Sequence, residues 1–240
     1  FRIAPVQNYQ VSSTSGNEKN RYFISAGYFN QQGIVLTSDY ERFNLRTNVD
    51  AQLTERLKLG TSISGSYGYG RFPNTEGHYG TGGILSMALA ASPTIPSHHE
   101  DGSYYFNQED VDYGLGWLSN PLAVLDGYSD NRKVADILAN SFVEYRIIDG
   151  LTFKTSVGIK YGTNVIKLWR SSEVPLYGNR NYEATAAVIK SESLNWLNEN
   201  TLNFKRNFGG KHQVDALLGF TAQKDSYDQL SAGAASFPTE

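Results

Sequence analysis

The feature that most constrains the fold is residues 42–69, where apolar and polar side chains alternate on both sides of one short turn. Before the turn, one face carries Phe43, Leu45, Thr47, Val49, Ala51 and Leu53. After Thr54–Arg56, one face carries Leu57, Leu59, Thr61, Ile63, Tyr67 and Tyr69. A period of two over this length predicts a long antiparallel hairpin with one apolar and one polar face. Each strand is about twice the usual ~5–6 residues, roughly the length that crosses a bilayer at a tilt.

Composition narrows the class of protein further. The 240 residues include 16 Tyr and 23 Gly but a single Met, which favours strands and turns over helices. The net charge of −3 argues against a nucleic-acid partner. Cysteine is absent, which excludes disulfides, thiolate metal sites and a cysteine nucleophile. No run of ~18 apolar residues occurs, so no transmembrane helix is expected. Phe1–Pro5 do not resemble a signal peptide, so the chain is either not exported or an internal piece of an exported protein.

Alternation recurs along the chain and predicts about eight antiparallel strands. We expect them at 7–14, 21–31, 40–54, 57–71, 134–148, 151–161, around 194–205, and at 213–221. Phe23 and Phe29 lie on the polar face of the second strand and interrupt its pattern. Gly83–Ala91 is the only helix expected, and the end of the chain from Ser231 is expected to be a loop.

The connections between these strands alternate between short and long. Short turns are expected at 16–20, 54–56, 148–150 and 207–210, and longer connections at 33–39, 72–132 and 169–191. Outer-membrane barrels have short periplasmic turns and long extracellular loops, whereas a soluble sandwich would have loops of mixed length at both ends. The pattern therefore predicts a section of an antiparallel transmembrane β-barrel, with 72–132 and 169–191 as extracellular loops.

The alternation also predicts which side chains face lipid and which face the lumen. The predicted lipid-facing set is Leu57, Leu59, Ile63, Phe153, Val157, Ile159, Val214 and Leu218. The predicted lumen-facing set is Ser62, Ser64, Lys154, Ser156, Lys160, Asp215 and Thr221. Outer-membrane barrels place apolar residues outward and polar residues inward in this way.

Several segments are specific enough to suggest a family. They are Ala4–Tyr9, Gly16–Lys19, Arg21–Ser25, Gly27–Val35, Tyr40–Asn44, Asn120–Ala123, Asp149–Lys154 and Glu199–Leu202. Together these segments resemble the barrel of SusC/RagA-type TonB-dependent outer-membrane transporters. The family forms large barrels of about 22 strands with a plugged lumen, so the resemblance implies that residues 1–240 are part of one such barrel domain.

The resemblance also implies a location, partners and a cargo. The location is the outer membrane of a Gram-negative cell, the partner is a SusD-like surface lipoprotein, and the cargo is an oligosaccharide or a peptide. No segment of this chain resembles the plug domain or the TonB box, so contact with the TonB complex is expected through other parts of the transporter.

The 72–132 excursion carries the candidate contacts to a ligand or partner. We select His98, Tyr104, Tyr105, Asp110, Asp112 and Trp117. Aromatic side chains supply rigid amphipathic contact area, and nearby polar groups orient a ligand. The alternative is that the aromatic side chains only pack the loop against its neighbours.

The same excursion contains histidines and carboxylates that could serve a metal site or a catalytic site. His98-His99 with Glu100-Asp101 can seed a metal site, but adjacent histidines on a loop rarely converge without further ligands. Glu109, Asp110 and Asp112 can offer oxygens to Ca²⁺, although EF-hand spacing is absent. Carboxylate pairs also occur in glycosidases, but the required separation of two opposed carboxyls is not visible in a sequence. We therefore predict no metal, no cofactor and no enzymatic activity.

The leading functional hypothesis is nutrient import across the outer membrane, with this chain supplying barrel wall and extracellular loops. Three alternatives belong to other classes. They are a complete small outer-membrane barrel with a structural or adhesive role, a soluble carbohydrate-binding β-sandwich and, least favoured, a glycoside hydrolase.

Overall fold

The chain forms one eight-stranded antiparallel sheet whose strands are ordered β1 to β8 as in the sequence. This computed structural model describes residues 1–77, 83–105, 120–172, 183–209 and 212–237. The strands are β1 Val6–Gly16, β2 Asn20–Gln32, β3 Asp39–Gln52, β4 Leu57–Arg71, β5 Tyr128–Ile148, β6 Leu151–Arg170, β7 Thr185–Phe208 and β8 His212–Ala235. Among the described residues all strands belong to this single sheet, which is the arrangement of a barrel wall and not of a two-sheet sandwich.

The strand register keeps the alternation in phase across the whole sheet. Tyr28 pairs with Phe43 and Phe43 with Tyr67, while Phe153 pairs with Leu202 and Leu202 with Leu218. Because paired residues share a face, the eight residues predicted to face lipid lie on one face of the sheet. The seven residues predicted to face the lumen lie on the other face.

The side chains of the apolar face are exposed and not covered by other parts of the described chain. Val11, Leu45, Val157 and Leu218 are all exposed, with Leu218 at 71%. A contiguous exposed apolar surface of this size marks a contact with a membrane or a partner. Its continuity across eight strands fits the lipid-facing side of a barrel wall.

The apolar band crosses the strand register obliquely. One register row joins Ile63, Ala139, Ile159, Trp196 and finally Lys224. The row is therefore apolar on the central strands but reaches a charged residue on β8. Strands of a closed barrel tilt by about 35–45°, so a level membrane layer must cut across the hydrogen-bonded rows in this way.

The later strands are longer than the sequence pattern predicts. β5 begins at Tyr128, so the excursion predicted at 72–132 is 72–127. β6 runs to Arg170 and β7 starts at Thr185, so the loop predicted at 169–191 is 171–184. The loop predicted from Ser231 begins too early, because β8 continues to Ala235. The extensions of β6, β7 and β8 carry both polar and apolar residues on each face, so the strands continue where the sequence no longer alternates regularly.

Two short helices lie in the β4–β5 excursion. α1 spans Ile84–Ala90, close to the helix expected at Gly83–Ala91. α2 spans Pro121–Gly127 and was not predicted, so the expectation of a single helix is wrong. Within the described ranges, no helix combines the length and the apolar character that crossing a membrane would require.

A small hydrophobic core holds these helices to a neighbouring loop. Its buried members are Val35, Ile84, Met87, Val124 and Leu125. Val35 comes from the connection between β2 and β3, whereas the other four come from α1 and α2. Two successive long connections therefore form one packed layer, which we call the cap, at the end of the sheet opposite the short turns.

Candidate functional site in the cap

Residues 97–105 form a small hairpin on the cap. His98 and Tyr104 form an antiparallel bridge, and the Tyr105 N–H donates to the Ser97 carbonyl at 3.1 Å. The turn is closed by the Gly102 N–H, which donates to the His99 carbonyl at 3.0 Å. Gly102 has φ +87°, a left-handed conformation that glycine adopts without steric cost. This turn places the candidate residues of the two hairpin arms next to each other.

Asp101 stabilises the tip of the hairpin. Its Oδ1 accepts hydrogen bonds from the Ser103 backbone N–H at 2.9 Å and from the Ser103 hydroxyl at 2.6 Å. These two bonds favour the ionised carboxyl, and the Ser103 side chain is the larger cause of a lowered Asp101 pKa. The carboxylate is thus part of the turn.

Ring contacts run along the hairpin. The His98 and Tyr104 ring centroids are 4.7 Å apart, and those of His99 and Tyr105 are 4.9 Å apart. The Tyr104 hydroxyl donates to the carboxylate of Asp126 in α2. The structure therefore brings His98, Tyr104 and Tyr105 together and joins them to an acidic residue that the sequence did not single out. The other selected residues, Asp110, Asp112 and Trp117, lie outside the described residues.

Asn120 fastens the hairpin to α2. Its Oδ1 accepts from the Leu122 backbone N–H at 2.9 Å and caps the helix, while Pro121 occupies the first turn. Its Nδ2 donates to the carbonyls of Ser97 at 2.6 Å and Tyr105 at 3.0 Å. Asn120 is buried, and its three hydrogen bonds are partly buried. An asparagine followed by proline is a helix-start signal in the sequence, and it identifies the cap position but not the two hairpin contacts.

No metal site emerges from the described part of the cap. Across the described ranges of the chain, no three His, Asp or Glu side chains converge as metal ligands would. His98 is instead close to a hydroxyl, with Nδ1 3.0 Å from Ser97 Oγ. The arrangement of exposed imidazole and half-buried phenol rings is suited to non-covalent contact with a ligand or protein surface.

A pocket of about 200 Å³ lies where the cap meets the sheet. Its lining combines apolar and charged groups: Thr37, Arg71, Phe72, Pro73, Leu125, Asp126, Tyr128, Ser129 and Asp130. Two ion pairs flank it, Arg71 with Asp39 and Arg132 with Asp130. Asp126 connects this pocket to the hairpin through Tyr104.

These features define the class of protein. A single antiparallel sheet has one continuous apolar face and one polar face, with short turns at one end and a packed cap at the other. This is the wall of an outer-membrane β-barrel with its loop layer.

The comparisons with known proteins identify the family. TonB-dependent receptor P3 of Formosa agariphila is 31% identical over 244 residues, which cover 100% of this chain and 23% of the relative. TonB-dependent receptor SusC of Bacteroides thetaiotaomicron is 25% identical, over 95% of this chain and 25% of the relative. The solved RagAB peptide transporter superposes with a TM-score of 0.77 at 21% identity, over 99% of this chain and 26% of that chain. No family model matches the chain.

The chain belongs to the SusC-type TonB-dependent receptors of the outer membrane, and its strands fold as a section of the β-barrel of that class. It spans about a quarter of the length of the curated relatives it matches.

Proposed function

We propose that the transporter containing this chain imports oligosaccharides or peptides across the outer membrane. Residues 1–240 contribute barrel wall, and the cap and the 171–184 connection form part of the extracellular surface. The chain itself has no catalytic role in this proposal, and coupling to the TonB complex depends on parts of the transporter outside it.

The observation that carries this proposal is the grouping of loops at one end of the sheet. The β2–β3 connection and the β4–β5 excursion share the core around Met87, which is fully buried. The short turns after β1, β3, β5 and β7 lie at the opposite end. Since barrels of this class keep short turns on the periplasmic side, the cap belongs outside the cell.

The exposed position of the hairpin supports a role in contact with cargo or partner. His98 is exposed, and Tyr104 and Tyr105 are half-buried, so each ring retains surface beyond its contacts in the hairpin. We propose that these residues, with Asp110, Asp112 and Trp117 on the following segment, meet the cargo or a SusD-like surface lipoprotein. The name of the RagAB transporter states peptide as its cargo, and oligosaccharide remains the other class proposed for this chain.

The test is a deletion of residues 97–117 in the intact transporter, replaced by a short Gly–Ser linker. The deletion removes none of the five core residues of the cap, and surface loops tolerate such changes. We expect normal assembly of the barrel, measured by heat-modifiable migration in SDS gels. We expect reduced growth on the native substrate or reduced capture of the lipoprotein in a pull-down.

A point variant provides the matched control. Leu89→Ser changes an α1 side chain that is 88% exposed and lies outside the deleted hairpin, so uptake should remain normal. Normal uptake together with normal lipoprotein capture in the deletion variant would contradict the proposed role of the hairpin. The aromatic side chains would then only pack the loop against its neighbours.

A further inference from the structure

A row of aromatic and guanidinium groups crosses the polar face of the sheet just below the cap. Arg42 Cζ lies 5.9 Å from the Phe29 ring centroid, and the Phe29 and Tyr40 centroids are 6.3 Å apart. Tyr40 and Phe72 follow at 6.5 Å, and Arg132 Cζ lies 5.0 Å from the Phe72 ring. We call these five residues the lumenal ladder. Phe72 also lines the pocket at the base of the cap, so the ladder continues from that pocket.

Two glycines of β4 leave the backbone beneath the ladder without side chains. A Cβ on Gly68 would come within 2.8 Å of the Tyr40 hydroxyl, and a Cβ on Gly70 would come within 2.7 Å of the Phe72 ring. Distances this short exclude a larger side chain unless the rings move. The aromatic rings therefore lie against bare backbone, and their outer faces remain available on the polar side of the sheet.

The two guanidinium groups of the ladder have different surroundings. Arg132 is neutralised by Asp130, whose buried carboxylate accepts from Arg132 Nε at 2.9 Å and from Arg132 Nη2 at 2.6 Å. Arg42 is exposed, and no carboxylate in the described parts of the chain forms an ion pair with it.

The register explains why Arg42 lacks a counter-charge nearby. Its cross-strand partners on β2 and β4 are Phe29 and Gly68. Its same-face neighbours along β3 are Tyr40 and Asn44. None of these four residues is acidic. An exposed guanidinium against an aromatic ring, with its donors unoccupied by a carboxylate, is a ready site for an anion.

We propose that Arg42 binds a carboxylate group of the transported cargo, with Phe29, Tyr40 and Phe72 supporting the apolar face of the same cargo segment. The inference rests on the proposed import function and adds a substrate class to it. Arginine presents paired N–H donors that match a carboxylate in a bidentate arrangement. The carboxylate can come from an acidic oligosaccharide or from an acidic peptide.

The experiment measures binding to the purified whole transporter in detergent by calorimetry. Two matched probe pairs separate the sources: trigalacturonate against neutral galactotriose, and the peptide Ala-Glu-Glu-Ala against Ala-Gln-Gln-Ala. We expect one acidic probe to bind at least about tenfold more tightly than its neutral partner, because hydrogen bonds between charged groups are stronger than those between neutral groups. The pair that shows the preference identifies the source.

Two arginine variants show whether the preference depends on the ladder. Arg42→Gln should remove most of the preference for the acidic probe. Arg46→Gln is the matched control, because Arg46 is also exposed on the polar face of β3 but pairs with Ser25 and Ser64. It should retain the preference within about twofold, as expected for a surface change away from the site. Both variants should show wild-type heat-modifiable migration.

Two results would overturn the assignment. One is the absence of any acidic preference in the wild-type transporter, including failure of both acidic probes to bind. The other is an equal loss of preference in the two variants. Growth on the native substrate is measured in parallel for the wild-type strain and for a strain that lacks the transporter. If the wild-type strain grows and the deletion strain does not, the import function stands and only the proposal of an anionic cargo is rejected.

Discussion

The ring of Phe142 lies directly over Gly60 on the polar face of the sheet, with Gly60 on β4 and Phe142 on β5 as register partners. A Cβ on Gly60 would come within 2.1 Å of the Phe142 ring. Lys154 Nζ lies 4.6 Å from the centroid of the same ring, and Lys58 Nζ lies 5.7 Å from it. Gly60 therefore provides the space in which an aromatic ring meets two cations.

Gly60→Ala is expected to displace the Phe142 ring and weaken its contacts with the two lysines. Overpacking of this kind costs about 1–3 kcal/mol, and we expect the lower end because the ring can turn toward the lumen. Stability is followed as the midpoint temperature of heat-modifiable migration in the whole transporter. The same change in a Phe142→Ala background should cost less, because the clash with the ring is gone and only the Asp50 carboxylate, 2.9 Å from the added Cβ, has to shift.

Gly65→Ala is the matched control for this comparison. The nearest atom to a Cβ at Gly65 is the Asp136 carbonyl oxygen at 3.7 Å, which is an ordinary contact. Gly65→Ala should therefore be tolerated. Equal shifts for the Gly60 and Gly65 variants would show that the Phe142 contact has no influence on stability.

Asn120→Ala is expected to destabilise the hairpin and α2 in the loop layer that we call the cap, without affecting strand pairing in the sheet. The variant removes the N-cap side chain of α2 and the donor to the Ser97 and Tyr105 carbonyls. Loss of a helix N-cap typically costs about 1 kcal/mol, and loss of the two hydrogen bonds to the hairpin adds to this cost. Hydrogen–deuterium exchange should become faster in peptides covering 97–105 and 121–127. Exchange in the paired centre of β4 and β5 should not change.

An exposed asparagine of the same excursion serves as the control for Asn120. Asn74→Ala changes a side chain at the cap surface, so exchange in both peptides should match the wild type. Unchanged exchange after loss of the Asn120 amide would mean that the hairpin is held by other contacts.

Ser103→Ala is expected to raise the pKa of Asp101. In the wild type the Ser103 hydroxyl and N–H stabilise the carboxylate, which lowers that pKa below its usual range. A lowered pKa contributes stability above the ordinary carboxyl value of about 3.9, and this contribution is lost as the pH falls through the lowered value. The hairpin tip should therefore keep its turn at neutral pH and lose this contribution only in acid.

The measurement for Asp101 is the side-chain carboxyl ¹³C shift of labelled transporter as a function of pH. The variant curve should lie at higher pH than the wild-type curve. Coincident curves would indicate that Ser103 does not stabilise the carboxylate in solution.

Strand positions and faces could be predicted from the sequence because the two sides of the sheet meet different media. Leu59, Ile63 and Val157 sit among polar neighbours at strict spacing, and that contrast identifies both the strand and its face. The ends of β7 and β8 lack this contrast. Around Lys190, and around Asp228 on β8, polar and apolar residues occur on both faces, so only the backbone ladder reveals that the strands continue.

The candidate site was predictable only where its parts are adjacent in the chain. His98, Tyr104 and Tyr105 fall within one short hairpin, so their proximity follows from local sequence. Asn120 and Asp126 reach the hairpin through tertiary packing of α2, which no local pattern encodes. Val35 joins the cap core from a different loop altogether.

Phe29 shows how a departure from the pattern can carry information. It lies on the polar face of β2, where alternation predicts a polar residue, and the structure places it between Arg42 and Tyr40. The interruption at Phe29 is visible in the sequence. The residues that contact Phe29 in the lumenal ladder can be identified only from the register of β2, β3 and β4.

The isolated 240 residues are expected not to form a heat-resistant monomer in detergent. β1 and β8 each have one neighbour in the sheet and do not pair with each other. Unpaired strand edges are templates for association, and lipid or detergent tails cannot satisfy their hydrogen-bonding groups. Refolding should give oligomers or aggregates in size-exclusion chromatography. A monodisperse, heat-resistant monomer would instead favour a small closed barrel.

The orientation of the sheet in the membrane is tested most directly by spin labels at two adjacent positions of β6. Val157 pairs with Ser141 and Asn198 on the apolar face, while Ser156 pairs with Phe142 and Glu199 on the polar face. The chain contains no cysteine, so single Cys substitutions label only the chosen sites of this section. In the whole transporter in lipid, the label at 157 should be relaxed by oxygen and the label at 156 by an aqueous nickel complex. Equal accessibility of both labels to the nickel complex would contradict a membrane-spanning wall with its apolar face in lipid.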